Sequence, residues 1–506
     1  MISCYLHDAL EAPLLIFSIK EFLWSSHEER RYSPLTLLLF CVLLIGTLSG
    51  CGNGNSTMTA SSASTAVVSV CQNGCTYSLN NPPHGGATVN GVSSSVFNGT
   101  NYIWALSSYG NTSSTTSGTV TYTIDLTSVN ASDPSTNKTF TLTSSLSDSG
   151  YYMAFAPDFS GNIWVLINNN DISSTLYESN NNGVTATYTC SISPCFPQSF
   201  AFGNSSTIFL VTVPPSGVAN PTTLYAVSWG LIYRIDISGK AFHPTKIYSG
   251  GGSCNSGSSC WSINGLSTDK TGNVWASGTY NSGNGESAVL EIPQSIAANA
   301  TGVVPDTSIN YYCSNTNSTA CQYTNYGSLS FPPSGNNSYF NEGGAVNTPP
   351  SKLVIDNKNN IWIGGSNAVE LSTNTSPPTA ITCQGGSCTG PIYNGSQMIA
   401  VSPQNSSSPA PNYPVWVSIN NGNSNSTTGS ALAGFSSSNS GQNLIDVSYC
   451  DFSLLQNSSS MNGCTQYLGF AGNTPQNIAI DTQGNVWMVN GSSSQIVFTE
   501  FVSAAN

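Results

Sequence analysis

Charge is what this sequence has least of. Only 7% of the 506 residues are charged, with 10 lysines and arginines against 23 aspartates and glutamates, for a formal net charge of −13. Proteins that bind nucleic acids do so largely by placing lysine and arginine against phosphates and releasing counterions. A chain this sparsely charged and this acidic offers no such surface, which excludes nucleic acid as a partner.

Histidine is also scarce. After Cys51 only His84 and His243 occur, and both lie in proline-containing segments. No Gly-x-Ser-x-Gly segment fits the strand-to-helix elbow of a hydrolase, and no calcium-loop pattern is present. The sequence therefore gives no catalytic residue, no metal site and no cofactor. Whether the protein is an enzyme stays open, and these absences favour a protein that is not one.

A helical period is missing as well. Beyond the first 50 residues, no long stretch repeats apolar side chains every 3.6 residues. Instead, short runs rich in β-branched and aromatic residues alternate with clusters of Ser, Thr, Asn and Gly. This pattern predicts an all-β fold.

The N-terminal region has the layout of an export signal. Arg30 and Arg31 precede an apolar stretch over 35–50 that ends in small residues. Residues 48–50, Leu-Ser-Gly, lie before Cys51 and resemble the bacterial lipoprotein box. The resemblance implies acylation of Cys51, with the bilayer as partner, in a bacterial cell envelope. Because Gly52 is not the Asp of an inner-membrane retention signal, the outer membrane or cell surface is favoured. The alternative is an ordinary secretory signal that ends near a chance cysteine.

This interpretation divides the chain into three parts. Residues 1–50 form the signal peptide, 51–66 the lipid anchor and a flexible tether, and 67–506 the folded domain. Short polar segments rich in Gly and Ser, such as the one after Cys51, behave as flexible linkers.

Twelve of the remaining cysteines fall into six neighbouring pairs. The pairs are Cys71/Cys75, Cys190/Cys195, Cys254/Cys260, Cys313/Cys321, Cys383/Cys388 and Cys450/Cys464. Paired cysteines in an exported chain predict disulfides, because the compartment is oxidising. Zinc is the competing interpretation, but the spacings vary and no histidine accompanies a pair. We expect six local disulfides that stiffen loops.

A repeated seven-residue frame runs from aspartate to tryptophan. Its sharp copies start at Asp158, Asp269, Asp356 and Asp481 and end at Trp164, Trp275, Trp362 and Trp487. The aspartate is expected to cap a turn, Gly or Asn to take the left-handed position, and the tryptophan to stand on the return strand. Three looser copies place aromatic residues at Trp104, Phe209 and Trp416. We expect these aromatic side chains to pack between neighbouring sheets.

The frame resembles the NHL repeat and related β-propellers. The resemblance implies a single propeller over 67–506 with seven blades, six being the alternative, whose last blade is completed by 66–70 or 87–92. Virginiamycin B lyase-like propellers use His and Glu around the channel, and gluconolactonase-like propellers hold a divalent metal with Glu, Asn and Asp. No residues of this sequence match either set, so the resemblance supplies a fold without an activity.

Polar and aromatic residues lie where the first strand of each predicted blade begins. They are Tyr151, Tyr152, Gln198, Trp261, Asn264, Lys352, Gln397, Gln476 and Asn477. Amide groups and flat rings suit sugar hydroxyls or a peptide backbone. We therefore predict a non-catalytic module that binds a glycan, a peptide or an envelope protein. The alternatives are a propeller-type lyase or lactone hydrolase, and a structural envelope protein.

Overall fold

The structure is a computed structural model. It describes residues 58–59, 75–80, 87–112, 120–147, 151–169, 173–196, 210–214, 223–228, 230–249, 261–280, 286–313, 352–356, 358–364, 369–372, 379–382, 396–401, 415–419, 431–437, 444–451, 477–491 and 495–501. All of them belong to one compact unit, formed by 57–69 and 73–506.

The described residues form 29 strands. In chain order these are β1 (Met58–Thr59), β2 (Cys75–Asn80), β3 (Ala87–Phe97), β4 (Thr100–Thr112), β5 (Val120–Asn130), β6 (Asp133–Ser147), β7 (Tyr151–Pro157), β8 (Ile163–Asn169), β9 (Ser173–Asn180), β10 (Gly183–Cys190), β11 (Leu210–Thr212), β12 (Thr223–Ser228), β13 (Leu231–Ser238), β14 (Ala241–Ser249), β15 (Trp261–Thr268), β16 (Val274–Tyr280), β17 (Glu286–Ile292), β18 (Asn310–Cys313), β19 (Lys352–Ile355), β20 (Ile361–Gly364), β21 (Val369–Ser372), β22 (Thr379–Thr382), β23 (Ser396–Val401), β24 (Val415–Ile419), β25 (Ala431–Ser437), β26 (Leu444–Asp451), β27 (Ile478–Ile480), β28 (Val486–Gly491) and β29 (Gln495–Phe501).

Helical structure is slight in this part of the chain. It consists of α1 (Gln294–Ala297) and a short 3-10 turn over Asp306–Ser308. Among the described residues, none of the helical segments has the length and hydropathy needed to span a membrane. The all-β prediction is confirmed.

The strands are organised as four-stranded antiparallel repeats. Four sheets contain one repeat each, namely β3–β6, β15–β18, β19–β22 and β23–β26. A larger sheet joins β7–β10 to β11–β14, because the fourth strands β10 and β14 pair in parallel. The last sheet has the order β27, β28, β29, β2 and β1. We number these repeats 1 to 7 in chain order of their first strands, from repeat 1 (β3–β6) to repeat 7 (β27–β29 and β2).

The first strands of the repeats contact one another in order. Strand β3 contacts β7, and the succession continues through β11, β15, β19 and β23 to β27, which contacts β3 again. Antiparallel four-stranded sheets placed radially around a centre are the architecture of a β-propeller. The predicted propeller architecture is therefore supported by strand order and contacts alone.

Large apolar side chains fill the space between successive repeats. Trp104, Trp164, Trp275, Trp362 and Trp487 are all less than 2% exposed. Trp164 of repeat 2, for example, packs in one cluster with Leu224 and Ala226 of repeat 3. The expected packing role of these tryptophans is confirmed.

One predicted hairpin is wrong. Phe209 was expected on the second strand of its repeat, but the following residues, Leu210–Thr212, form the first strand β11. Strand β11 pairs with β12, in which Tyr225 lies opposite Thr212. The apolar run continues past Phe209 to Val213, and the chain reverses direction between β11 and β12.

The closing segment was also predicted wrongly. Strand β2, Cys75–Asn80, pairs antiparallel with β29 and completes repeat 7 on its outer edge. Residues 87–92 belong instead to β3, the first strand of repeat 1, and 66–70 lie outside the described residues. Strand β29 pairs with β28 on one edge and with β2 on the other, so β2 is the fourth strand of repeat 7. Within the predicted tether, Met58–Thr59 pairs with β2, whereas 1–50 and Cys51 lie outside the described residues.

Candidate functional site

The recurring aspartate organises a hydrogen-bonded turn. Oδ1 of Asp269 accepts from the backbone N–H groups of Thr271 and Asn273, both at 2.9 Å. Its Oδ2 accepts from Asn273 Nδ2 and from Trp275 Nε1, again at 2.9 Å. Gly272 takes a left-handed conformation with φ +87°. The predicted turn cap is confirmed, and the bond to the indole N–H is an addition that sequence analysis missed.

The same network recurs in three other repeats. It is centred on Asp158, Asp356 and Asp481, whose Oδ2 atoms accept from Trp164, Trp362 and Trp487 at 3.0, 3.0 and 3.1 Å. In each copy the carboxylate also accepts backbone N–H bonds from the turn. Because these acceptors are engaged within the protein, the aspartates act as structural caps.

A glutamate stands opposite the tryptophan in all four of these repeats. The cross-strand pairs are Trp164–Glu178, Trp275–Glu291, Trp362–Glu370 and Trp487–Glu500. In three repeats a tyrosine of the fourth strand stacks on the tryptophan, with ring centroids 5.6 to 5.9 Å apart; these tyrosines are Tyr188, Tyr312 and Tyr77. The sequence distance from Trp to Glu differs between repeats, so no fixed spacing reveals this arrangement.

Burial changes the acidity of these glutamates. Burial, reinforced by the charge of Asp481, raises the pKa of Glu500 to about 7. Burial followed by the charge of Asp158 also raises the pKa of Glu178. Burial likewise raises the pKa of Asp481, against the opposing effect of its hydrogen bonds from Trp487 and Asn485.

Repeats 1 and 3 replace this network. In repeat 1, Trp104 Nε1 donates to Ser95 Oγ, which donates to the carbonyl of Gly161 in repeat 2, both at 2.9 Å. In repeat 3, Tyr225 takes the tryptophan position and stands opposite Arg234. The guanidinium of Arg234 forms an ion pair with Asp236 at 2.7 Å.

A central cavity of about 300 Å³ lies among the first strands of the repeats. Its described lining residues come from β3, β7, β11, β15, β19, β23 and β27, together with Leu106, Val213 and the turn after β7. They are neutral except for Asp158, whose carboxylate accepts the turn and indole hydrogen bonds given above. The cavity thus presents hydroxyl, amide and apolar side chains.

All the first strands begin at the same end of this cavity. Corresponding ends of the first strands meet across the repeats: Thr212 and Thr268, the last residues of β11 and β15, have their hydroxyl oxygens 3.2 Å apart. A Cβ on Gly265 would lie 2.6 Å from the backbone nitrogen of Leu353, so only glycine allows this approach. These contacts indicate that neighbouring first strands run in the same direction. We call the end at which they begin the entrance.

The predicted ligand-binding residues that the structure describes lie at or near the starts of the first strands, and none of them is among the described residues that line the cavity. Tyr151, Trp261 and Lys352 are the first residues of β7, β15 and β19. Tyr152 follows and is half-buried. Gln198 and Gln476 lie outside the described residues. Ligand binding by these residues stays a prediction.

Two predicted residues are buried at the entrance. Asn264 is 6% exposed and Asn477 is 8% exposed. Asn477 Nδ2 donates to the carbonyl of Val89 at 3.2 Å, which ties the start of repeat 7 to repeat 1. For Asn477 the structure therefore shows a contact between repeats.

A β-bulge recurs at one register near the entrance. The extra residue is Asn264 in β15 and Gln397 in β23, both predicted, and Asn90 in β3, which sequence analysis missed. Asn90 lines the cavity, and its Nδ2 donates to Ser108 Oγ at 2.9 Å. Bulges re-aim side chains next to binding sites. An amide residue occupies each of these three equivalent bulges. The pattern becomes visible only when the strands are aligned by register.

One of the six predicted disulfides lies within the described residues. Cys190 and Cys195 are bonded, with their Cα atoms 5.9 Å apart, directly after β10. The next residue, Phe196, is fully buried and packs edge-on against Tyr233 of repeat 3. This pair confirms the predicted local disulfide at one position.

The other five predicted disulfides each include a cysteine outside the described residues. Three of their cysteines lie in strands, namely Cys75 in β2, Cys313 in β18 and Cys450 in β26. The cysteines that lie outside the described residues are Cys71, Cys254, Cys260, Cys321, Cys383, Cys388 and Cys464. The structure therefore shows no bond for the pairs Cys71/Cys75, Cys254/Cys260, Cys313/Cys321, Cys383/Cys388 and Cys450/Cys464, and these five stay predictions.

Among the residues that the structure describes, no group of three or more His, Cys, Asp or Glu side chains is arranged to hold a metal ion.

Comparison with known proteins gives low likenesses. No family model and no curated protein matches the chain. A chain of the mitotic checkpoint complex aligns with a TM-score of 0.44 and 12% identity, covering 89% of this chain and 100% of that one. PorZ, a surface component of the type-IX secretion system of Porphyromonas gingivalis, aligns with a TM-score of 0.40 and 12% identity. That alignment covers 80% of this chain and 46% of PorZ. The propeller architecture rests on the strand order and register described above.

Proposed function

We propose that this chain is a seven-bladed β-propeller, lipid-anchored at Cys51 in a bacterial cell envelope, which binds a neutral polar ligand at the entrance to its central cavity. The seven blades are the seven repeats, with β2 as the outer strand of the last. The ligand is a glycan, a peptide or an exposed segment of an envelope protein.

The make-up of the central cavity carries this proposal. Its described lining is neutral apart from Asp158, and that carboxylate is already engaged by the turn. Binding sites for neutral molecules combine apolar surface with a few placed hydrogen-bonding groups. Here Phe155 and Met153 provide apolar surface, and Asn90 provides an amide.

Further polar and aromatic residues stand at the entrance, at or near the starts of the first strands. Trp261 and Lys352 begin first strands, and Asn264 occupies a bulge in β15. Trp261, which immediately follows Cys260 of a predicted disulfide, is the residue we expect to contribute most.

Titration of the full chain with defined probes tests the binding site. We expect chito-oligosaccharides or soluble peptidoglycan fragments to raise the melting temperature, since a ligand at 100 times its Kd adds about 2.7 kcal/mol of stability. Trp261→Ala should abolish the shift. Val303→Ala is the control, because this apolar residue is 50% exposed and does not line the cavity. Equal loss in both variants, or no shift with either probe class, would contradict the site.

Mass spectrometry of the membrane-associated chain from a bacterial host tests the anchor. We expect the mature N-terminus at Cys51 with added acyl mass, and release into the soluble fraction for Cys51→Ser. Each buried methylene contributes about 0.8 kcal/mol, so several acyl chains hold the protein firmly on the membrane. An unmodified Cys51 in a membrane-associated chain would overturn the lipoprotein interpretation.

A further inference from the structure

The described wall of the central cavity belongs mainly to one end of the first strands. In β15, β19 and β23 the last three residues line the cavity, and in β7 the lining reaches Pro157 and continues into the turn. This is the end at which each first strand is followed by the turn into its second strand, and we call it the exit. The cavity thus offers a binding surface at the exit that is separate from the entrance.

Phe159 stands at the exit edge of the cavity. It follows Asp158 in the turn between β7 and β8, lines the cavity and is 37% exposed. The residue at this position of the repeated frame is Lys270 in repeat 4, Asn357 in repeat 5 and Thr482 in repeat 7. Among the four sharp copies of the frame, repeat 2 is therefore the one that has an aromatic ring here.

The other aromatic side chain of the described lining is engaged within the wall. The ring of Phe155 in β7 packs against Gly91 of β3, where a Cβ atom would collide with it. Phe155 also packs on the apolar cluster shared by repeats 1 and 2. Phe155 therefore forms part of the cavity wall, whereas the ring of Phe159 has exposed surface at the edge.

Hydroxyl groups line the same cavity. Those of the described lining belong to Ser93, Ser94, Thr212, Ser267 and Thr268. Thr268 Oγ1 donates to the carbonyl of Val213 at 3.0 Å and lies 3.2 Å from Thr212 Oγ1. The hydrogen shared between the two threonines therefore comes from Thr212, and its oxygen keeps its acceptor sites. This oxygen can accept a hydrogen bond from a hydroxyl group of a ligand.

The carboxylate of Asp158 is engaged by the turn, and the rest of the described lining is neutral. Its Oδ1 accepts from the backbone N–H groups of Ser160 and Asn162, at 2.8 and 2.9 Å. Its Oδ2 accepts from Asn162 Nδ2 and Trp164 Nε1, at 3.1 and 3.0 Å. A charged ligand group would lose hydration in the cavity and would find no group of opposite charge among the described lining residues to replace it. The cavity therefore favours an uncharged ligand.

We propose that the exit end of the cavity is a second binding site, which takes one uncharged sugar residue with its C–H face on Phe159 and its hydroxyl groups on Thr212 and the lining serines. The face of an aromatic ring carries partial negative charge, which attracts the polarised C–H groups of a sugar ring. Serine and threonine hydroxyls both donate and accept, as sugar hydroxyls do. A volume of about 300 Å³ is at the lower limit for ligand pockets and suits a single sugar residue. The site goes beyond the proposed function, because it uses none of the entrance residues.

Ligand-detected NMR titration of the full chain with the methyl glycosides of glucose, galactose, mannose and N-acetylglucosamine tests the site. We expect at least one of the four to bind, with saturation transferred to the C–H protons of its ring. Glucuronate and galacturonate are the charged controls, and we expect them to bind at least about tenfold more weakly. No binding by any of the four glycosides, or equal binding by the uronates, would overturn the proposal.

Substitution of the aromatic ring locates the sugar. Phe159→Ala should raise the Kd of the bound glycoside about tenfold, because the stacking surface is lost. Phe159→Tyr keeps the ring and should bind as the wild type does. Lys270→Ala is the matched control and should leave the Kd unchanged, because Lys270 occupies the same frame position in repeat 4 and is not among the described lining residues. Unchanged binding in Phe159→Ala would overturn the exit site.

A variant at the entrance separates this site from the proposed function. Loss of glycoside binding in Trp261→Ala, together with retention in Phe159→Ala, would mean that the sugar binds at the entrance. That result would overturn the exit site and support the proposed function. Loss in Phe159→Ala alone would support the exit site, whatever the titration with chito-oligosaccharides and peptidoglycan fragments shows for the entrance.

Discussion

Two versions of one turn can be compared within this molecule. In repeat 4, Asp269 bonds the backbone of its own turn and the indole of Trp275. In repeat 1, Ser95 bonds the indole of Trp104 and then the carbonyl of Gly161 in the next repeat. The buried tryptophan is common to both, but its partner either closes a turn or links two repeats. A buried aromatic side chain at this position is therefore the common feature, with Tyr225 in place of tryptophan in repeat 3, and its polar partner varies between repeats.

Substitution of the left-handed glycines by alanine should give the largest difference in stability between a turn that contacts the neighbouring repeat and one that does not. A Cβ on Gly161, with φ +84°, would lie 2.0 Å from the carbonyl oxygen of Val96, next to Ser95. A Cβ on Gly272, with φ +87°, would meet Gln294 Cγ at 2.8 Å, which is the movable part of a side chain. We expect Gly161→Ala to cost about 3–5 kcal/mol and Gly272→Ala about 1–2 kcal/mol. Urea unfolding of the full chain measures both.

Equal costs for the two variants would show that the conformation of the glycine, and not the approach of repeat 1 to repeat 2, dominates. Asn359 provides an internal reference, since it occupies the same turn position with φ +71° and carries a side chain. Asn359→Gly relieves no strain, because asparagine tolerates this conformation. It should cost about 1 kcal/mol, because Asn359 Oδ1 accepts from the Lys270 N–H of repeat 4 at 2.7 Å.

Removal of the polar partner should have the next largest effect. Asp269→Ala leaves two backbone N–H groups, an amide and an indole N–H without their acceptor. Ser95→Ala leaves one indole N–H without its acceptor and one carbonyl without its donor. Each buried donor left unpaired costs about 1–3 kcal/mol, and solvent or rearrangement recovers part of it. We expect about 3 kcal/mol for Asp269→Ala and about 1–2 kcal/mol for Ser95→Ala, from denaturation midpoints at constant slope. A larger cost for Ser95→Ala would contradict the comparison.

Features that depend on residues close together in the sequence could be predicted, whereas contacts between distant residues could not. The frame from Asp269 to Trp275 is contained in seven residues, so its turn, its left-handed glycine and its cap were predicted. The partner of Trp104 was not, because Ser95 precedes it across a hairpin and bonds a residue of another repeat. Phe209 shows the opposite error, in which an aromatic residue at a plausible spacing stands one residue before a first strand.

The strand positions of two predicted site residues agree with the structure, and their binding role stays a prediction. Trp261 and Lys352 lie where first strands begin, as the repeat implied. Asn90 was missed because its equivalence to Asn264 depends on a bulge, which appears only once the strands are paired. Closure by β2 was missed for a related reason: a fourth strand contributed from the far end of the chain carries no repeat signature.

The smallest effect should come from Trp→Phe variants, which isolate the indole N–H. Trp275→Phe and Trp104→Phe remove similar volume from sites that are both at most 1% exposed, so the difference between their costs reports the hydrogen bond. In repeat 4 the change leaves a buried carboxylate oxygen with only Asn273 as its donor. In repeat 1 the hydroxyl of Ser95 still donates to Gly161. Because bonds to charged groups contribute about 1.5–3 kcal/mol and neutral ones about 1 kcal/mol, we expect Trp275→Phe to cost about 1 kcal/mol more, measured by urea unfolding. Equal costs would mean that the aspartate serves the turn alone, and that tryptophan is kept at this position for its size.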